Sequence, residues 1–349
     1  MSASAELADR LWYGRGRGAA LARQLLAPAA WLFGAVVARR AARFDRGDGR
    51  VPGPVPALSV GNLTVGGTGK TPLSAWFVRA AREAGARPAL VLRGYGDDEP
   101  QVHAVLNPEV PVVVNADRVA AVARAAAEGA DCVVLDDAFQ HRRAARVVDV
   151  VLVSVDRWDD RVRLLPAGPF REPLPALARA SLVVLTEKAP AAGQRARALA
   201  AVRAATTAPV AVVRLAPDGW RPIDGGPARV AADAWRGTRV LAVSAIGDPE
   251  AFHRQLAALG LLVTPLVFAD HHAYSAADVA RIVATAAGAP VLCTLKDAVK
   301  LAPRWPGGAP PAWYLSQAVV PDDGAEALSA AVRALLAARG PGGGAIRSP

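Results

Sequence analysis

Sulfur and lysine are both scarce in this chain. Two cysteines and one methionine occur in 349 residues. Cys132 and Cys293 sit far apart in apolar runs, with no neighbour at metal-ligand spacing. That excludes a disulfide framework and a zinc cage, and both thiols read as core residues of a reducing compartment. Lysine is limited to Lys70, Lys188, Lys296 and Lys300, although the formal net charge is +10. The excess is therefore arginine, set in an alanine-rich chain, and part of it reads as coding bias. Aromatic residues make up only 5%. No basic tract interleaves with them as a single-strand binder would require, so no nucleic acid partner is expected. No repeat of fixed period is present.

Long hydrophobic runs are missing too. Leu25 to Ala38 is an uncharged stretch of 14 residues containing Trp31, Leu32 and Phe33. At about 1.5 Å per residue it covers about 21 Å, short of the ~30 Å hydrocarbon core. Acids precede it and no small-residue cleavage site follows, so a signal peptide is not expected. Residues 1–50 hold nine arginines and four acids, which places +5 of the +10 in a seventh of the chain. An apolar segment flanked by arginines suits a helix lying in a membrane interface. A helix packed on the protein's own core is the other reading. Residues 5–44 read as one long helix, or two broken near Pro28.

What is present centres on Gly61 to Pro72. A strand-like run, Val55–Val60, precedes Thr64-Val65-Gly66-Gly67-Thr68-Gly69-Lys70-Thr71, and helical spacing of Leu73, Trp76, Phe77 and Ala80 follows. Strand, glycine-rich turn, Lys-Thr and helix is the context of a P-loop, whose N–H groups and helix dipole cradle phosphate. Thr64 stands where the general pattern has glycine. Lys70 would reach the β- and γ-phosphates and Thr71 would offer its hydroxyl to Mg²⁺.

Strand-like runs recur at 55–60, 88–92, 110–114, 131–135, 148–153 and 181–186, with helical patterns at 72–85, 117–129 and 173–180. This rhythm predicts an α/β fold: a P-loop NTPase-like parallel sheet with helices on both faces. Val210–Leu215 and Arg221–Ile223 read as two short strands around Pro217-Asp218-Gly219, a candidate hairpin connector. Strands at 240–243, 262–268, 291–295 and 313–315 and helices at 249–259, 275–286 and 324–338 predict a second, smaller α/β domain. The expected boundaries are 1–46 for the N-terminal helix, 47–215 for the core, 216–340 for the second domain and 341–349 for a disordered tail.

Asp136-Asp137 closes the apolar run 131–135, the place of the carboxylates that hold Mg²⁺ in P-loop proteins; a helix N-cap pair is the alternative. Arg142 or Arg143 would meet an anion or stay solvated. Asp98 lies in an acidic stretch after Leu92, as a proton acceptor or a plain surface loop. Glu172 sits near a helix start, as a dipole partner or a metal ligand. Asp270-His271 reads as an acid/base pair or a cap.

The ordered set resembles the tetraacyldisaccharide 4′-kinases, the lipid A 4′-kinases of Gram-negative bacteria. It comprises Gly61-Asn62 to Pro72, Arg93-Gly94-Tyr95, Asp98-Glu99-Pro100, Asp117-Arg118 and Leu135-Asp136-Asp137-Ala138-Phe139-Gln140-His141. It continues with Leu165-Pro166-Ala167-Gly168-Pro169 to Arg171-Glu172-Pro173, Asp270-His271-His272-Ala273-Tyr274 and Lys296-Asp297-Ala298-Val299-Lys300. The resemblance implies two α/β/α domains and transfer of the ATP γ-phosphate to the 4′-hydroxyl of a tetraacylated glucosamine disaccharide 1-phosphate, a lipid A precursor. It implies work at the cytoplasmic face of the inner membrane. By the same resemblance Asp98 is the base, assisted by His271. Asp136 and Asp137 are the paired carboxylates, and Glu172 is a further Mg²⁺ ligand. A P-loop GTPase switch is the competing reading, but Thr186-Glu187-Lys188 and Thr294-Leu295-Lys296-Asp297 only approximate its base-reading motif.

Overall fold

A computed structural model describes residues 3–94, 98–247 and 249–339. Tyr95 and the expected tail at 341–349 lie outside the described residues. The N-terminal segment is three helices, not one or two: α1 (Ala3–Tyr13), α2 (Arg17–Leu25) and α3 (Ala27–Asp45). Gly14 and Gly16 interrupt the first pair. The second break falls at Leu26, with Pro28 in the first turn of α3, where a missing N–H costs nothing. Arg23 is buried and donates to the carbonyls of Leu11 (2.6 Å) and Gly14 (2.8 Å), tying down the end of α1.

None of the 19 residues of α3, all of them described, is buried. Leu25, Trp31, Leu32 and Val36 are each at least 60% exposed. Polar ties hold the helix instead. Buried Arg142 donates to Asp45 Oδ1 (2.6 Å) and to the Ala41 carbonyl (3.1 Å). Among the described residues no single helix is long and apolar enough to cross a membrane. The pair α2 and α3, bent by 50°, reaches that length together.

The chain divides into two compact units. The larger holds 9–94, 103–214 and 319–339; the smaller holds 98–102 and 215–318, with 3–8. In chain order the larger begins with β1 (Ala57–Asn62), α4 (Lys70–Glu83), β2 (Pro88–Leu92), the part of α5 (Asp98–Leu106) from His103 on, β3 (Val112–Val114) and α6 (Arg118–Ala127). It continues with β4 (Cys132–Asp136), β5 (Val148–Ser154), β6 (Leu182–Glu187), α7 (Gln194–Ala205) and β7 (Val210–Pro222). Strand order is β3-β2-β4-β1-β5-β6-β7, every pairing parallel. Strands β1, β2, β4 and β6 are buried at every position. A parallel sheet covered on both faces requires such continuous apolar runs. In β4, Val133 and Leu135 pack with Val122 and Ala125 of α6, while Cys132 and Val134 point the other way and are equally buried.

The smaller unit adds β8 (Arg239–Ser244), α8 (Pro249–Ala258), β9 (Leu262–Val267), α9 (Ala276–Ala286), β10 (Val291–Cys293), α10 (Leu295–Leu301) and β11 (Ala312–Asp323). Its order is β11-β10-β8-β9, and the pairings β11-β10, β10-β8 and β8-β9 are parallel. The last helix, α11 (Ala325–Ala337), counts with the larger unit.

Three local expectations are corrected. The two short strands around Pro217-Asp218-Gly219 are one strand, β7, whose neighbour is β11. Ile223 N–H meets the Ala312 carbonyl and Arg214 reaches Asp322, so β7 and β11 run antiparallel. The strand expected at 291–295 stops at Cys293, because Thr294 caps α10 with its hydroxyl. The acidic stretch at 98–100 is no loop but the first turn of α5, where carboxylates favour the helix dipole.

Candidate active site

The glycine-rich turn leaves β1 and enters α4 in the larger unit. Gly66 (φ +110°) and Gly69 (φ +84°) occupy conformations that side chains rarely adopt, and Gly69 is the residue before α4. Glycine brings no capping side chain, so the first N–H groups of α4 are left for an anion. The turn is pinned from three sides. Val65 N–H donates to the Pro169 carbonyl (2.8 Å), Asn62 Nδ2 to Thr68 Oγ1 (2.7 Å) and Thr186 Oγ1 to the Thr68 carbonyl (2.9 Å). Thr64 bridges to Phe170 in the loop carrying Arg171 and Glu172. Gly67 and Lys70-Thr71 complete the mouth of the helix, with Val65, Gly66 and Gly67 exposed.

Because β4 lies between β2 and β1, the ends of those strands converge beside this turn. The two adjacent carboxylates there have different surroundings. Asp136 is 6% exposed and engaged on both oxygens. Ser74 Oγ and the Asp137 N–H donate to Oδ1 (3.0 and 2.9 Å), and His103 Nε2 stands 3.2 Å from Oδ2. Burial works to raise its carboxyl. The bond and charge of His103, with Lys70, outweigh this and hold it below the usual range. Asp137 is more open. Lys70 Nζ lies 3.9 Å from its Oδ1, and Arg171 grips both oxygens, at 2.9 and 3.3 Å, while also bonding Asn62. Burial is again the largest influence and is outweighed, here by Lys70 and Arg171, so this carboxyl too is held low.

Glu172 is buried and pairs with Arg179 (2.9 Å), which stacks on the Phe139 ring. Arg142 and Arg143 are not waiting for an anion: the first ties α3, and the second bonds Asp117 (2.9 Å). A different set of arginines gives the region its positive field. Burial first, then Arg118, Arg40, Arg146 and Arg93, push the His141 imidazole below its ordinary range.

In the smaller unit, Asp98 and His271 come together. Asp98 is 5% exposed, and His271 Nδ1 lies 3.6 Å from its Oδ1. His271 is left-handed (φ +58°), with its N–H donating to Asp270 Oδ1 (3.0 Å) and the Ala245 carbonyl (3.3 Å). Asp137 (φ +47°) shares this uncommon backbone state, which in non-glycine residues concentrates where function over-determines geometry.

The family model described as tetraacyldisaccharide-1-P 4′-kinase matches residues 22–337. The chain belongs to that family. It is 39% identical over 331 residues to the tetraacyldisaccharide 4′-kinase of Azoarcus sp. (strain BH72), covering 86% of this chain and 89% of that one. It is 39% identical over 337 residues to the enzyme of that name from Halorhodospira halophila, covering 90% and 94%. Among solved structures it resembles an "apo" form of LpxK from Aquifex aeolicus in complex with ATP. There the TM-score is 0.71 and identity 26%, over 90% of this chain and 99% of that one. The GTPase reading is not favoured by these relationships.

Three contacts of the candidate carboxylates escaped the sequence reading, although Arg171 and Lys300 lie in motifs named above. His103, Arg171 and Lys300 each touch a candidate carboxylate, yet none sits at recognisable spacing from it. His103 shares α5 with Asp98, and once that stretch is read as a helix, a histidine one and a half turns on becomes a visible signal.

Proposed function

We propose that this protein is a lipid kinase of the tetraacyldisaccharide 4′-kinase type, moving the ATP γ-phosphate to the 4′-hydroxyl of a tetraacylated glucosamine disaccharide 1-phosphate. One observation carries the reading: in a chain of this family, the uncapped start of α4 carries Lys70 against Asp137 behind the exposed turn 65–67. That turn, as a P-loop, binds the phosphates through its N–H groups, and Lys70 neutralises the β- and γ-oxygens.

The donors fit Mg²⁺. A hard cation binds one or two carboxylates, a hydroxyl and substrate phosphates. Thr71 would supply the hydroxyl and the more exposed Asp137 the carboxylate, exchanging its contacts with Arg171 and Lys70 for the cation, while Asp136 holds the Asp137 N–H. Glu172 would join only by leaving Arg179. When bound, Mg²⁺ neutralises charge that builds on the transferred phosphoryl group. Asp98 accepts the hydroxyl proton, and half-exposed His271 passes it to solvent. A sugar hydroxyl is a poor acid, so positioning supplies most of the acceleration.

The lipid substrate also accounts for α3. Its exposed Trp31, Leu32 and Val36, with Arg39, Arg40 and Arg43 at the following end, support docking on the anionic cytoplasmic face of the inner membrane. The test is phosphate incorporation by purified protein from labelled ATP into the disaccharide 1-phosphate in detergent, read by mass spectrometry. No incorporation, with folded protein and Mg²⁺ present, would end this reading.

A further inference from the structure

Asp98 has a second neighbour. Lys300 Nζ lies 3.9 Å from Oδ2, the oxygen that His271 does not face, and the lysine side chain is 14% exposed. Neither Oδ2 nor Nζ has a hydrogen-bond partner among the described residues, although both atoms are buried. Two such groups in an ordinary core would close to hydrogen-bond distance or be replaced, since a buried polar atom left unmet is costly.

The support beneath them is rigid and shared. Asp297, fully buried, caps α10 through Thr294 and also takes the Ala245 N–H and the Tyr274 hydroxyl, each at 2.9 Å. The Ala245 carbonyl in turn receives the His271 N–H. Lys300 lies in the last turn of α10, with Nζ 5.7 Å from the centre of the Tyr274 ring. One buried carboxylate therefore sets both the backbone under His271 and the helix that aims Lys300.

We propose that Lys300 is a positioning residue for Asp98, fixing the buried Oδ2 from behind so that the carboxylate stays in place between Lys300 and His271. This rests on the reading of Asp98 as the base. The sugar O–H bond breaks and its proton passes to the Asp98 carboxylate. The sugar oxygen bonds to the γ-phosphorus, and the bond to the bridging oxygen breaks, its electron pair leaving with ADP. Lys300 keeps its protons throughout and supplies the counter-charge beside a carboxylate that must meet an anionic phosphoryl group. An ammonium suits this place better than a guanidinium, which would fork across both carboxylate oxygens and compete with His271 for Oδ1.

The test is a double-mutant cycle on the full chain with Lys300→Met, Asp98→Asn and both together, with Lys300→Gln as a second variant should Met fold poorly. ATP affinity, kcat, KM and thermal melting are measured for each. Lys300→Met is expected to lower kcat roughly 10- to 100-fold, while KM and ATP affinity stay within about threefold. In the Asp98→Asn background it should cost nothing further. Full kcat in Lys300→Met, an equal loss added to that of Asp98→Asn, or a loss confined to KM for ATP overturns the proposal and leaves the base reading standing. Turnover retained by Asp98→Asn alone overturns both.

Discussion

His103 Nε2 stands 3.2 Å from Asp136 Oδ2, and both side chains are nearly sealed from solvent. A carboxylate buried this deeply depends on such partners, because an unpaired charge there would be costly. His103→Leu should therefore destabilise the fold by about 1–3 kcal/mol, read as a lower urea midpoint at unchanged slope. An unaltered midpoint would mean that Ser74 and the Asp137 N–H suffice.

The two adjacent carboxylates should separate by phenotype. Asp137→Asn should lose less thermal stability than Asp136→Asn but raise the Mg²⁺ concentration needed for half-maximal turnover by about tenfold or more. Asp136→Asn should lose stability first, since its oxygens are spent inside the protein. Equal Mg²⁺ dependence in the two variants would contradict this assignment.

Acid should loosen the start of α9. The Ser275 side chain, then its N–H, then His272 hold the Asp278 carboxyl down to about 2. The folded value lies below the ordinary ~3.9, so the contribution is complete above that value and is lost as pH falls through the folded one. Asp278→Asn should be less stable than the parent at pH 6, and the gap should close toward pH 2. A gap independent of pH would assign the effect to packing.

Membrane docking is testable apart from chemistry. Trp31→Asp with Leu32→Asp should abolish co-sedimentation with anionic phospholipid vesicles at low salt while leaving melting unchanged, because neither residue is buried. Vesicle binding as strong as the parent's would remove α3 from the membrane contact.

Much of this was legible in the residues. Apolar runs such as 132–135 and 182–185 must be buried on both sides, so the parallel sheet follows from local physics, and Gly66 and Gly69 admit the positive-φ turn into α4 that side chains would resist. Patterning left 25–38 either in a membrane interface or packed on the protein's own core, and only the folded chain shows α3 unburied. Other features required the folded chain. Strand β7 runs straight through Pro217-Asp218-Gly219 because β11, about ninety residues on, supplies its neighbour, and no local propensity encodes a partner that distant. Which of Asp136 and Asp137 stays accessible depends on His103, Ser74 and Arg171, all remote in sequence. Residue type along the chain decides what can form and what must be buried; which carboxylate stays open to solvent is decided only when distant side chains pack around it in space.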